Sequence, residues 1–263
     1  MAAVEYVHEN GVARITLNSP PQNRIGNELV AGLTAAIMDV AGRNDTRALL
    51  LSATGPDFSW GGDIRNWQNI SHKDFGATLE QALQLTNTFE DFPFPTIAAV
   101  QGQCSGGGYE LALRADIIIA ADNARFGHSE ATIGVFTFLG GVQRVADRIG
   151  RGRALEWAYT AEMIEAQRAL DLGLVNQCVP SDELADTAES WVEKLASGAT
   201  LAHAAHKKLL RAWSTSGVAA ADAMIPQMAE DIHASADLQD HLPAAIAAVE
   251  AGEPRPKFPF KGQ

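Results

Sequence analysis

Three consecutive glycines, Gly106 to Gly108, stand between two apolar runs that have the length and composition of buried strands, Thr96-Ile-Ala-Ala-Val100 and Ile117-Ile-Ile-Ala-Ala121. A short apolar segment with helical spacing (Tyr109, Leu111, Ala112, Leu113) follows the glycines directly. A glycine turn between strand and helix leaves backbone N–H groups unpaired and aimed over the helix start. Glu110 falls in the first helical turn, and Glu130 follows twenty residues later, beyond the second strand. Two carboxylates directed at one amide-lined spot form an acid/base pair beside a site for a developing oxyanion.

The pattern occurs twice. Arg47-Ala-Leu-Leu-Leu-Ser52 is a short buried strand, Gly55-Pro56-Asp57 a turn, and Phe58-Ser-Trp-Gly-Gly-Asp-Ile64 places Gly61-Gly62 before a helical segment at Asp63–Trp67. A lone glycine turn is as readily structural as functional, but two such turns supply the two donors that an oxyanion hole requires. The glycine run lacks the Gly-Lys-Ser/Thr ending of a P-loop and the spacing of a dinucleotide turn.

Other candidates are weaker. Glu110 precedes Leu111, Ala112 and Leu113, so it either pairs with an arginine, such as Arg114 or Arg125, or is functional. His203 and His206, three apart, lack the arrangement of a zinc helix. His128 is ambiguous and is a candidate for the same pocket. Trp60 and Trp67 either line an acyl slot or simply pack. Ser59, Ser105 and Ser129 have no nucleophile elbow. Two cysteines, Cys104 and Cys178, make no disulfide framework, and Cys104 reads as a small buried residue.

The rest of the chain has an α/β rhythm. Val4–His8 and Val12–Leu17 read as a hairpin about Asn10-Gly11. A helix follows with Leu29, Leu33, Ile37 and Val40 on one face, and a longer one spans about 75–89. After an apolar loop from Thr132 to Gly141, helices are expected near 142–149 and 154–161 and at 166–172, ended by Gly173, with a last strand over 175–179. From Pro180 the pattern is helical, about 182–197, 200–213 and 217–235, before a proline-punctuated basic tail from Gly252. A length of 263 residues supports one main domain, here 1–195, with an appendage, 196–263.

The net charge of −12 argues against nucleic acid as the main partner, because phosphate binding needs a basic surface. An anionic ligand must therefore be held by a local basic cluster. No apolar run reaches the ~18 residues of a membrane span, and the first residues lack the pattern of a signal peptide. A cytoplasmic protein is expected.

These motifs together resemble the enoyl-CoA hydratase/isomerase (crotonase) family over nearly the whole chain. Phe58-Ser-Trp-Gly-Gly-Asp-Ile64 is similar to its F-x-A-G-A-D-[IL] segment, and Pro95 to Asp116 to its P-x-I-A-A-V-x-G-x-x-x-G-G-G-x-E-L-A-x-x-x-D block. Phe126-Gly-His-Ser-Glu130, Gly140-Gly-Val-Gln-Arg144 and Ala169-Leu-Asp-Leu-Gly-Leu-Val175 follow in the family's order. The resemblance implies a spiral of repeated ββα units with a C-terminal helical trimerisation region, in a homotrimer or homohexamer.

It further implies an oxyanion hole made by the N–H groups of Gly62 and Gly107, holding the thioester carbonyl of an acyl-CoA. Glu110 would hold and deprotonate a water attacking Cβ, and Glu130 would deliver the proton to Cα. Retention of both glutamates favours hydration of a 2-enoyl-CoA, or the reverse dehydration, over isomerisation, decarboxylation or C–C hydrolysis on the same hole. A CoA- or RNA-binding relative with little activity is the rival from another class. The coenzyme A of the substrate would lie along Arg24, Ile25, Asp63, Ile64 and Arg65, with Lys257 and Lys261 of the tail as further cations; no separate cofactor and no metal is implied. Two departures stand out, Trp60 where the family usually has a small residue and Thr137-Phe-Leu139 where it reads P-G-A. Trp60 and Phe138 are thus expected to reshape or narrow the acyl pocket.

Overall fold

A computed structural model describes residues 2–262. In chain order the strands are β1 (Val4–Glu9), β2 (Val12–Leu17), β3 (Ala48–Ala53), β4 (Thr96–Val100), β5 (Gln103–Ser105), β6 (Ile117–Ala121), β7 (Arg125–Gly127), β8 (Ile164–Glu165) and β9 (Gln177–Val179). The helices are α1 (Asn27–Gly42), α2 (His72–Glu90), α3 (Gly107–Ala112), α4 (Gly141–Ile149), α5 (Arg151–Thr160), α6 (Ala166–Asp171), α7 (Leu184–Ala196), α8 (Thr200–Ser216), α9 (Val218–Ala234) and α10 (Ala236–Ala251).

β1 and β2 pair antiparallel about a two-residue turn in which Asn10 (φ 52°) and Gly11 (φ 77°) are both left-handed. That conformation is the reason Asn-Gly marks a hairpin. The remaining strands of the main sheet are parallel, in the order β1-β2-β3-β4-β6-β9. Parallel strands covered on both faces read as continuous apolar runs. Accordingly Leu49, Leu51 and Ala98 enter one core with α1, whereas Ala48, Leu50, Ile97 and Ala99 meet Leu184, Ala188 and Val192 of α7 on the other face.

The short strands escape sequence pattern because three residues carry no periodicity. β5 pairs parallel with β7, and β7 antiparallel with β8, as a second sheet. Ser59 makes a parallel bridge to Cys104, extending the same arrangement back by one unit. Three successive units thus run from main-sheet strand to short cross-paired segment to helical turn: β3, Ser59 and the 3₁₀ turn Ile64–Trp67; β4, β5 and α3; β6, β7 and the 3₁₀ turn Glu130–Ile133. This is the spiral of ββα units, and it brings the turns of successive units side by side. The expected helices are present with shifted ends. The stretch assigned no helix, 236–251, forms α10, with Pro243 inside it and Ser235 as its N-cap.

Candidate active site

The two glycine turns are laced together as short strands. Ser59 donates its N–H to Gln103 O (3.0 Å) and accepts from Ser105 N (2.9 Å). Ile25 bridges Gly62, with Ile25 N on Gly61 O at 2.9 Å and Asp63 N on Ile25 O at 3.1 Å. Gly61 (φ 88°) sits where a side chain would lie 2.8 Å from Ser105 O and 3.0 Å from Gly107 N, so only glycine fits this crossing. A Cβ on Gly107 would lie 3.7 Å from Gly62 N. The N–H groups of Gly62 and Gly107 are therefore neighbours, and among the described residues neither donates to a protein acceptor.

Glu110 is buried, in the first turn of α3. Its Oε1 accepts the N–H of Leu139 and that of Gly141, each at 2.8 Å, and Oε2 has no protein partner among the described residues. Burial and the charge of Glu130 push its pKa up to about 7, against the pull of the two amides. Neither arginine offered by the sequence pairs with it. Arg125 bonds Glu165 (3.0 Å), and Arg114 bonds Glu90 (3.0 Å) and Asn87 (2.7 Å).

Arg114 acts on Glu110 at one remove. It donates to Leu139 O (2.7 Å), while Arg144, forked on the same Glu90 carboxylate, donates to Gly140 O (2.9 Å). Two arginines thus grip the carbonyls of the loop whose N–H groups hold Glu110. Gly140 (φ 81°) gives the turn its left-handed residue. The sequence reading passed over these donors, although Gly140-Gly141 opening α4 repeats the glycine and helix-start signal seen at Gly106–Gly108.

Glu130 begins a 3₁₀ turn, and both its carboxylate oxygens are buried with no protein partner among the described residues. Burial raises its pKa. Gly106 (φ 53°) lies against it: a Cβ there would be 3.1 Å from Ser129 Oγ and 3.9 Å from Glu130 Oε1. His128 does reach the pocket. Its Nδ1 is 3.9 Å from Glu130 Oε2, its ring lies 4.9 Å from that of Tyr109, and burial depresses its pKa to about 4, keeping the imidazole neutral. A Cβ on Gly141 would lie 2.6 Å from His128 Cε1 and 3.2 Å from Glu110 Oε1. The imidazole therefore sits beside both carboxylates.

Arg24, Asp63 and Arg65 line a polar cavity of about 430 Å³ at the start of α1. Arg65 forks onto Asp63 at 2.7 Å, holding that carboxyl below its usual range, and Arg24 bonds Gln22 (2.8 Å). Ile64 is exposed. Trp60 lies beside Arg24: its indole N–H donates to Asp57 (2.7 Å), and the Arg24 guanidinium lies 5.5 Å from the ring centre. Phe138 instead joins Trp67, Phe75 and Phe136.

Lys257 and Lys261 do not line the cavity of Arg24 and Arg65. Lys257 borders a second, largely apolar cavity of about 990 Å³ among α8, α10 and the tail, and Lys261 lies 3.5 Å from Asp240. Among the described residues no cluster of three metal-ligating side chains occurs, and no helix is long and apolar enough to cross a membrane.

A spiral of this kind, with glycine turns converging on buried carboxylates, defines the crotonase fold class. Residues 7–258 match the family model for enoyl-CoA hydratase/isomerase, and the chain belongs to that family of enzymes. It is 34% identical over 195 residues to a peroxisomal fatty acid beta-oxidation multifunctional protein of Arabidopsis thaliana, covering 73% of this chain but only 27% of that protein. It is 34% identical over 199 residues to a short-chain-enoyl-CoA hydratase of Clostridium acetobutylicum, covering 74% and 75% of the two chains. An enoyl-CoA hydratase structure from Bacillus anthracis superposes with a TM-score of 0.88 at 28% identity, covering 99% of this chain and 100% of that one.

Proposed function

We propose that this protein hydrates a 2-enoyl-CoA to the 3-hydroxyacyl-CoA, or runs the reverse dehydration. The observation that carries the reading is the free pair of amides at Gly62 and Gly107 beside two buried carboxylates that differ in their partners. The thioester oxygen accepts from both amides, which stabilise the enolate-like charge that appears when water adds, typically by about 3–4 kcal/mol per donor. Glu110, anchored through Oε1, keeps Oε2 for a water; as a carboxylate it takes a proton from that water as the oxygen bonds to Cβ. Glu130 gives its proton to Cα.

The electrostatics support a pair that shares one proton. Two neighbouring buried carboxyls resist double ionisation, so the pair tends to retain one proton. Hydration needs one base and one acid at the outset. In the cavity at Arg24 and Arg65, Arg65 is already paired with Asp63, which leaves Arg24, held by Gln22, as the charge offered to the coenzyme's phosphates.

Self-association into a homotrimer or homohexamer is proposed through the C-terminal helices. Leu210, Trp213, Val218, Ile225, Ile246 and Val249 are exposed on α8–α10, an apolar display that a second copy would cover. Light scattering during size exclusion reads the mass directly, and a monomer at micromolar concentration contradicts this part.

Loss of the conjugated enoyl-thioester absorbance with crotonyl-CoA, coupled to mass analysis of the product, tests the reaction. Gain of one water supports it; a shifted double bond, loss of carbon dioxide or a cleaved chain points to another crotonase-type reaction on the same amides.

A further inference from the structure

Four aromatic rings from three separate segments meet beside the paired amides. Trp67 comes from the 3₁₀ turn after Gly62, Phe75 from α2, and Phe136 and Phe138 from the loop before Gly140. Ring centres are 5.3 Å apart for Trp67–Phe75, 5.8 Å for Trp67–Phe138, 5.6 Å for Phe75–Phe138 and 4.8 Å for Phe136–Phe138. Most of these pairs are edge-to-face, the geometry that the ring quadrupoles favour.

The cluster adjoins the reacting space on two sides. Trp67 Cζ2 is 3.5 Å from where a Cβ on Gly62 would stand. Phe138 directly precedes Leu139, whose N–H holds Glu110 and whose Cδ1 is 3.9 Å from the corresponding point on Gly107. The rings thus border the space beside the paired amides and Glu110. By contrast, Phe89, Phe92 and Phe94 form a contiguous cluster with every member buried. In the cluster by the amides Trp67, Phe75 and Phe138 are half-buried and Phe136 is 73% exposed.

We propose that this aromatic wall is the subsite for the acyl group, and that it selects acyl thioesters bearing an aryl ring over aliphatic ones of similar length. The proposal rests on the acyl-CoA reading of the site. An aliphatic chain gains only the burial of its own area against the wall. An aryl ring gains that area and adds a further edge-to-face or offset contact to rings already arranged for one.

Calorimetric titration of the whole protein with 3-phenylpropionyl-CoA and hexanoyl-CoA tests this, since both are saturated and binding is read without turnover. The aryl thioester is expected to bind about five- to tenfold more tightly. Phe138→Leu and Trp67→Leu, made separately, remove a ring while keeping an apolar side chain, and the aryl-to-hexanoyl ratio is expected to fall toward one in each, whatever the absolute affinities. Equal or weaker aryl binding by the wild type overturns the proposal, as does a ratio that neither substitution moves. An aryl preference in a protein that adds water to no 2-enoyl thioester keeps the subsite and removes the hydratase reading. Hydration without an aryl preference does the opposite, and a wild type that binds neither thioester overturns both.

Discussion

Gly141 donates its N–H to Oε1 of Glu110 across 2.8 Å, and nothing larger than glycine fits at that position. A Cβ there would come 2.9 Å from Glu110 Cγ and 2.6 Å from His128 Cε1. Gly141→Ala therefore has to push one of two buried side chains. The expected cost in stability is about 1–3 kcal/mol. The expected loss in kcat is roughly 10²-fold, because displacing a carboxylate by an ångström spoils its aim. Urea titration and steady-state kinetics on the same preparation separate the two effects.

Glu110→Gln and Glu130→Gln keep shape and remove proton transfer. Each is expected to lower turnover by about 10²–10⁴-fold while acyl-CoA binding survives. Wild-type turnover in either variant removes that glutamate from the chemistry.

The raised pKa of Glu110 has a consequence for stability. An unfolded glutamate titrates near 4.3, the folded one at about 7. Between those values the folded chain holds more protons than the unfolded chain, so this group's contribution to stability falls as pH rises through the window. Glu110→Gln is expected to gain on the wild type by roughly 3 kcal/mol between about pH 4 and pH 8. Equilibrium unfolding of both proteins at the two pH values measures the gap. If Glu110 is the base, kcat/KM of the wild type also rises with pH through an ionisation near 7.

Much of the site is legible in the sequence because its parts are local. Gly61-Gly62 and Gly106–Gly108 each stand between a strand and a helical turn, and a glycine forced to positive φ, or into contact with another backbone, is written as glycine. The carboxylates are placed by their elements, Glu110 by the first turn of α3 and Glu130 by the turn after β7. What escapes is what depends on partners distant in the chain. Arg114 lies one helical turn from Glu110, yet its charge goes to Glu90, 24 residues away. The grip of Arg114 and Arg144 on the Leu139–Gly140 carbonyls has no sequence spacing of its own. β5, β7 and β8 are too short for periodicity, and their pairing is a product of the spiral. Trp60 and Phe138 are both departures from the family pattern, but the fold sends one toward Arg24 and the other into the ring cluster.

Glu90 bridges both arginines with its one carboxylate, and the Arg114 side chain is only 1% exposed. Glu90→Gln leaves a buried guanidinium without its counter-charge, which is expected to cost about 3 kcal/mol. Turnover is expected to fall as well, since the loop that holds Glu110 loses its anchor. Thermal unfolding alongside kinetics checks both; unchanged values in both deny Glu90 this role.

The most direct test of the two-carboxylate, two-amide account is isotopic. Crotonyl-CoA incubated with the enzyme in heavy-oxygen water, with mass analysis of the product, follows the atom that Glu110 is held to activate. The account predicts one labelled oxygen at C3 of the 3-hydroxyacyl product with wild type and loss of that labelling rate in Glu110→Gln. Label at C3 appearing equally fast in the variant, or no labelled hydroxyacyl product from the wild type on any 2-enoyl thioester that it binds, contradicts it.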